Sequence, residues 1–269
     1  MALAEKLANR RWLRREKPFP HVVATDVFTP AAYRDIEVAF QQLLALGLGD
    51  PRERERFSRS IEGYDVYALS LQPSLPEPLH VFFSREWHDA IAAVAGGHAT
   101  GDVDGALHHH PPGTLSGRPH NDLNPGWFAG EADPGEVNLS DGRRCSYQSG
   151  RLGAAGVGGP SPRETIRAVA VLFYVNNPPW RPGDGGETGL YLDGRARTEN
   201  PVLAVPPRNN SLLLFECTPR SYHAFIRNTV QPRNSVIHWL HRTKEDVIRR
   251  WGSEPIVSWD GPRVLNEAS

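Results

Sequence analysis

From residue 164 onward the chain is a succession of short, β-branched and apolar segments: ETIRAVAVLFYVN, then GLYLDG, PVLAVPP, NSLLLFEC, HAFIRNTV and NSVIHWLHR. Turn-forming residues separate each from the next. Segments this short cannot bury a face alone, and their close, regular spacing points to a β-sandwich or small barrel. The 25 glycines and 24 prolines agree, because so many turn formers favour strands joined by turns over a helical bundle.

Helical signals are confined to the first hundred residues. Thr29 stands before Pro30 and the periodic run AAYRDIEVAFQQLLALG, so an N-cap, a proline at the first helical position and a closing glycine predict a helix. SREWHDAIAAVAG predicts a second helix, capped by Ser84 and closed by Gly96. Residues 1–16 read as a short, strongly basic helix, and KPFPHVVATDVFTP as an extended strand leading into the barrel. DPRERERFSRS reads as a solvated charged loop or frayed helix end. Residues 129–163 are glycine-rich and aperiodic, which predicts either disorder or a lid over a site. The expected organisation is one domain over 1–269. It has a mostly helical part (1–100), a β core (101–242) carrying the lid-like loop 129–163, and a C-terminal extension (243–269).

With 39% hydrophobic and 23% charged residues and a formal net charge of −1, the chain is ordinary for a globular protein. No global field recruits nucleic acid or an anionic membrane, and neither is expected as a partner. The N-terminus lacks the apolar core of a signal peptide and no run reaches membrane-spanning length. Cys145 and Cys217 form neither a disulfide framework nor a CxxC pattern, so they read as packing residues in a reduced, cytoplasmic setting. Oligomeric state is not legible.

The chemistry begins at RPHNDLNPGW, residues 118–127, where His120 and Asp122 are separated by one residue. Alone this pair carries little weight. Far downstream, SYHAFIRNTVQPRNSVIHWLHR supplies His223 at the start of one strand and Arg233 at the start of the next. Two imidazole nitrogens and one carboxylate oxygen make a facial triad, which suits Fe(II) and leaves three adjacent positions open. An iron oxygenase needs two of these for a bidentate 2-oxo acid and one for O2. A permanently charged guanidinium nearby would bind the far carboxylate of that acid. Strand alternation places Arg233, Ser235, Ile237 and Trp239 on one face, so Arg233 and Ser235 can meet the same carboxylate.

His-x-Asp, a distant His and Arg-x-Ser ten residues later together resemble the Fe(II)- and 2-oxoglutarate-dependent oxygenases, in their prolyl-4-hydroxylase-like branch. KPFPHVV, HHHPPGTLSGRPHND, VLFYVNNPPWRPGDGGETGLY and NSLLLFE resemble further segments of that branch, so the likeness runs over roughly residues 17–242. It implies a distorted double-stranded β-helix, a cupin-like jelly roll, mainly β, with the N-terminal helices packed on the major sheet. It implies His120, Asp122 and His223 as iron ligands and catalytic centre, with Fe(II), 2-oxoglutarate and O2 as cofactor and cosubstrates. Arg233 would anchor 2-oxoglutarate with Ser235 as a weaker donor. Two departures stand out: the family's Gly-Gly-Glu-Leu is here Gly185-Gly186-Glu187-Thr188, and the approach-strand tyrosine is replaced by one of His108, His109 and His110. Halogenases of the superfamily carry a small residue in place of the carboxylate, so Asp122 favours hydroxylation or a related oxidation.

Other polar residues have plainer readings. His108 and His110 share a strand face and are candidates to line the substrate pocket, as are Asn124 and Trp127. Glu187 is read as fixing a turn, His238 and His241 as structural, and Arg220 and Arg227 as solvated residues or substrate contacts. The expected substrate is a free small molecule, an amino acid or an antibiotic-type biosynthetic intermediate. The alternatives are a prolyl-type hydroxylase acting on a protein side chain, and a non-catalytic, metal-binding cupin-like protein.

Overall fold

The computed structural model describes residues 2–49, 55–61, 64–97, 99–140, 145–146 and 162–257. The N-terminal strands are β1 (Arg14–Arg15), β2 (His21–Ala24), β3 (Leu48–Gly49), β4 (Phe57–Ile61) and β5 (Tyr64–Ser70). The central ones are β6 (Asp102–His110), β7 (Pro125–Ala129), β8 (Asn138–Leu139), β9 (Cys145–Ser146) and β10 (Pro162–Tyr174). The last five are β11 (Thr188–Tyr191), β12 (Leu203–Val205), β13 (Ser211–Glu216), β14 (Tyr222–Phe225) and β15 (Arg233–Thr243). A large sheet runs β1-β2-β13-β10-β15-β6-β5-β4-β3, and a small one runs β12-β11-β14.

The helices begin and end where the cap residues predict. Helix α2 (Pro30–Ala45) starts with the Thr29 side chain accepting from the Ala32 N–H, and buries Ala32, Ile36, Ala39 and Phe40 along one stripe. Helix α3 (Arg85–Ala95) is capped by Ser84 and closed by Gly96 at φ 71°, a left-handed conformation that glycine adopts without strain. Both helices pack on the outer face of the large sheet. There Phe28 and Phe82 meet Phe173, and Phe28, Phe82 and Trp87 meet one another, at ring distances of 5.1–6.0 Å. A second apolar cluster fills the space between the two sheets, with Leu172, Tyr174, Leu213, Phe215 and Trp239 from the large sheet facing Leu190 and Val205 of the small one. This is the expected double-stranded β-helix with helices on its major sheet.

The N-terminal region departs from the sequence reading. Residues 1–16 do not form one basic helix: a single turn, α1 (Leu3–Lys6), is followed by an irregular stretch and by β1. Its arginines lie in the exposed part, so no apolar stripe exists to hold a longer helix on the body. Part of the charged run 50–60 is β4, whose Phe57 is fully buried against Phe40 at 5.4 Å. One aromatic at the right register outweighed the surrounding charge, and the hairpin β4–β5 extends the large sheet beside β6. The predicted lid 129–163 falls largely outside the described residues; of its described part, β8 pairs parallel with β6 and β9 pairs with β7. The C-terminal extension opens with helix α4 (Lys244–Trp251), whose Val247 is buried.

A β-bulge in β10 matters for the site. Arg167 pairs with His241 and Val169 with Leu240, so Ala168 is an extra residue opposite no partner. In a regular strand Arg167 and Ala170 would face opposite sides; the inserted residue puts Arg167 on the same inner face as Ala170, Leu172 and Tyr174.

A candidate metal centre between the two sheets

His120, Asp122 and His223 converge. One ligand atom from each lies within 4.8 Å of the other two. His223 sits on β14, and His120 is bound to it by reciprocal backbone hydrogen bonds of 2.9 and 3.1 Å, so a two-residue bridge fixes the spacing of the two imidazoles. His223 Nε2 lies 3.3 Å from Asp122 Oδ2, and His120 Nε2 lies 3.7 Å from Asp122 Oδ1.

The donor set fits a metal ion on chemical grounds. His120 Nδ1 lies 2.8 Å from the Arg118 carbonyl, and His223 Nδ1 lies 3.1 Å from the Ser221 carbonyl. A carbonyl can only accept, so both Nδ1 atoms carry the proton and both Nε2 lone pairs point at the centre. Burial opposes ionisation of Asp122. The imidazoles of His223 and His120 on one side and the Arg167 guanidinium on the other outweigh it and hold the carboxyl well below the usual range. Neutral imidazoles and an ionised carboxylate are the protonation states that metal binding requires. The His120 side chain is 36% exposed while Asp122 and His223 are nearly buried, so the centre opens toward solvent on the His120 side.

Arg233 stands on β15 in the same enclosure. It is 4% exposed, donates to Ser235 Oγ at 3.0 Å and to Thr188 Oγ1 at 3.3 Å, and lies 5.3 Å from the Tyr174 ring and 5.6 Å from that of Phe225. Among the described residues no carboxylate pairs with it, and its Nε has no acceptor. A buried cation surrounded by hydroxyls and ring faces is a place for an incoming anion. The pair Gly185-Gly186 makes this approach possible: a Cβ on Gly185 would lie 2.0 Å from the Arg227 carbonyl, and one on Gly186 would lie 3.3 Å from Arg233 Cβ.

The remaining candidates divide. His110 and His108 pair across β6 and β15 with Arg233 and Ser235, and His110 stacks on Phe225 at 4.3 Å. Burial and then the Arg233 charge push His108 down to about 3 and hold His110 well below the ordinary histidine value, so both are neutral walls beside Arg233. Asn124 does not line an open pocket: its amide donates to the Val257 carbonyl at 2.8 Å and its Oδ1 lies 3.4 Å from Arg167 Nη1. Trp127 pairs along β7 with Glu164 and Ser146. His238 accepts from the Trp87 indole at 2.9 Å and His241 bonds to Thr165 Oγ1 at 3.0 Å, both buried as structural residues. Arg220 and Arg227 are exposed. Cys217 is buried and unpaired, and the Cys145 side chain lies outside what is described.

Sequence reasoning missed Tyr174, Thr188, Trp239 and Arg167. Tyr174 and Thr188 bond to each other at 2.8 Å beside Arg233, and Trp239 donates to Asp122 Oδ2 at 2.7 Å. The one available signal was Trp239 sharing the face of Arg233 on β15; the others depend on pairings that only the fold makes.

Residues 161–241 match the family model of the 2OG-Fe(II) oxygenase superfamily. Over 91 residues, 31% of this chain, the sequence is 35% identical to prolyl 3,4-dihydroxylase OGFOD1 of Ostreococcus tauri; that match spans 18% of the relative's length. Among solved structures, a prolyl-4-hydroxylase of Pseudomonas putida superposes with a TM-score of 0.50 at 17% identity, covering 82% of this chain and 92% of that one. A prolyl 4-hydroxylase of Phytophthora capsici gives 0.50 at 17% identity, covering 84% and 61%. The fold and the His-Asp-His cluster make a double-stranded β-helix with three candidate metal ligands between its sheets. Over residues 161–241 the chain is similar to the 2OG-Fe(II) oxygenase superfamily, a class whose cofactor and cosubstrates are Fe(II), 2-oxoglutarate and O2, and its fold is that of the prolyl-4-hydroxylases. The expectation of a free amino acid or natural-product intermediate as substrate is corrected by the same findings, since the curated relative is a prolyl dihydroxylase. The sequence misled here because residues that would hold iron and 2-oxoglutarate say nothing of what is placed above them.

Proposed function

We propose that this chain is a 2-oxoglutarate-dependent dioxygenase that hydroxylates a prolyl residue of a protein or peptide. The convergence of His120, Asp122 and His223 carries the catalytic part, with both Nε2 lone pairs freed by the carbonyls behind them. When bound there, Fe(II) with 2-oxoglutarate and O2 supplies the oxidation of an unactivated C–H bond, with succinate and CO2 as co-products.

The protein's own contribution is placement. Arg233 and Ser235, with Thr188 and Tyr174 behind them, bind the distal carboxylate of 2-oxoglutarate and fix its reach toward the triad. The apolar cluster between the sheets excludes water from the reacting groups. Support for a prolyl substrate is the likeness to a prolyl dihydroxylase, together with the exposure of the His120 side of the centre.

Anaerobic addition of Fe(II) and then 2-oxoglutarate to the apo-protein tests the site through the weak visible charge-transfer band of the chelate. Wild type is expected to show the band and His120→Ala to lose it; its absence from folded wild type would overturn the oxygenase assignment. Proline-containing peptides and free amino acids are then compared by succinate release and mass spectrometry. Oxygen gained on a prolyl residue supports the substrate reading, and turnover of free amino acids alone overturns it.

A further inference from the structure

Behind the triad lies a buried charge arrangement that iron and 2-oxoglutarate binding do not require. Arg167 is 5% exposed. Its Nη2 lies 2.9 Å from Asp104 Oδ2, and its Nη1 lies 3.5 Å from Asp122 Oδ1. The guanidinium lies 3.6 Å from the centroid of the Trp239 ring, and the same indole donates to the other oxygen of Asp122. On the far side, Asp104 accepts from Ser140 Oγ at 2.6 Å. The Arg167 backbone N–H is tied to the Asn124 carbonyl at 3.1 Å, two residues past Asp122. The β-bulge at Ala168 is what turns Arg167 toward Asp122 at all.

We propose that the Arg167–Asp104 pair is a positioning and charge-setting device for the metal-binding carboxylate, an inference that rests on Asp122 being a ligand. Arg167 and Trp239 together hold the two oxygens of Asp122 in one orientation toward His120 and His223. A bare guanidinium at that distance would also compete with the metal for the carboxylate's negative charge. Asp104 removes that competition: on β6, directly behind Arg167, it neutralises the cation so that orientation is kept and ligand charge is not drawn away. Removing Asp104's charge should therefore harm metal binding even though Asp104 does not touch the metal.

Apo-protein is titrated with Co(II), an Fe(II) surrogate with a ligand-field spectrum, using wild type, Asp104→Asn, Arg167→Gln, the double variant and His120→Ala. Asp104→Asn keeps the shape and leaves Arg167 unscreened, and is expected to weaken Co(II) binding by about 10–100-fold. Arg167→Gln in the Asp104→Asn background removes the unscreened cation and is expected to recover part of that loss, the remainder being the orientation that Arg167 supplies. A purely structural role predicts the reverse, with the double variant binding no better than Asp104→Asn alone, and that result overturns the proposal. If Asp104→Asn does not fold, Arg167→Lys carries the test: lysine keeps the charge beside Asp104 but not the planar fork. A loss of at least about tenfold in affinity with an altered Co(II) spectrum then supports the proposal, and unchanged binding overturns it. Retained Co(II) binding in His120→Ala would instead overturn the ligand assignment itself, which separates the two failures.

Discussion

The indole N–H of Trp239 donates to Oδ2 of Asp122 over 2.7 Å, joining the large sheet to the loop that carries the candidate metal-binding pair. Neither residue is close to the other in sequence, and the bond is buried at both ends. Trp239→Phe keeps the ring beneath Arg167 but removes the donor. Metal affinity is expected to fall by about 10–100-fold, the usual effect of losing a partner behind a metal ligand. Co(II) titration of folded apo-protein measures it, and an unchanged affinity would mean that Asp122 is oriented by Arg167 and the backbone alone.

Arg233 is buried with hydroxyls and rings and, among the described residues, no carboxylate, so its removal separates binding from stability. Arg233→Leu should weaken 2-oxoglutarate binding by about 1.5–3 kcal/mol, roughly 10–150-fold, from the loss of charged hydrogen bonds. Ser235→Ala should cost about 1 kcal/mol, roughly fivefold. Without 2-oxoglutarate, Arg233→Leu should melt no lower than wild type, because a desolvated, unpaired cation is removed. Calorimetric titration and thermal unfolding read the two effects apart; a large fall in apo Tm would show that Arg233 is structural.

Acid should unfold this protein through histidines that never touch the metal. Burial lowers His238 to about 3 and His241 to about 4, and both are fully buried. Their folded values lie below the unfolded value of about 6.5, so between these limits the unfolded chain binds more protons and stability falls as pH falls. The stability they contribute is present above about pH 6.5 and is lost progressively toward pH 4, about 2 kcal/mol for each at pH 5. Denaturant melts from pH 7 to 5 measure the slope. His238→Gln, which can still accept from Trp87, should reduce it by about one proton.

Gly185 is held at φ 77° with the Arg227 carbonyl where a Cβ would sit. Gly185→Ala should destabilise the protein by about 2–4 kcal/mol, from left-handed backbone strain plus displacement of the 227–228 turn beside Arg233. Equilibrium unfolding decides it, and a change below about 0.5 kcal/mol would show that the turn relaxes freely.

What the sequence determined by itself was local. His120 with Asp122 and Arg233 with Ser235 are each two residues apart, a spacing that brings side chains to one face in an extended chain. The helices at Pro30 and Arg85 were legible because Thr29, Ser84 and Gly96 set their ends through hydrogen bonds within a few residues. The basic N-terminus and the strand at Phe57 were misread because charge dominates a short window, while a single buried aromatic decides the structure. The tertiary fold alone decided the rest. Antiparallel pairing brought Thr188 and Tyr174 to Arg233, and the extra residue at Ala168 reversed the strand's alternation so that Arg167 faces Asp122. Periodicity predicts the faces of a regular strand, but a bulge is fixed by packing across the sheet, and that information is absent from the order of residues around it.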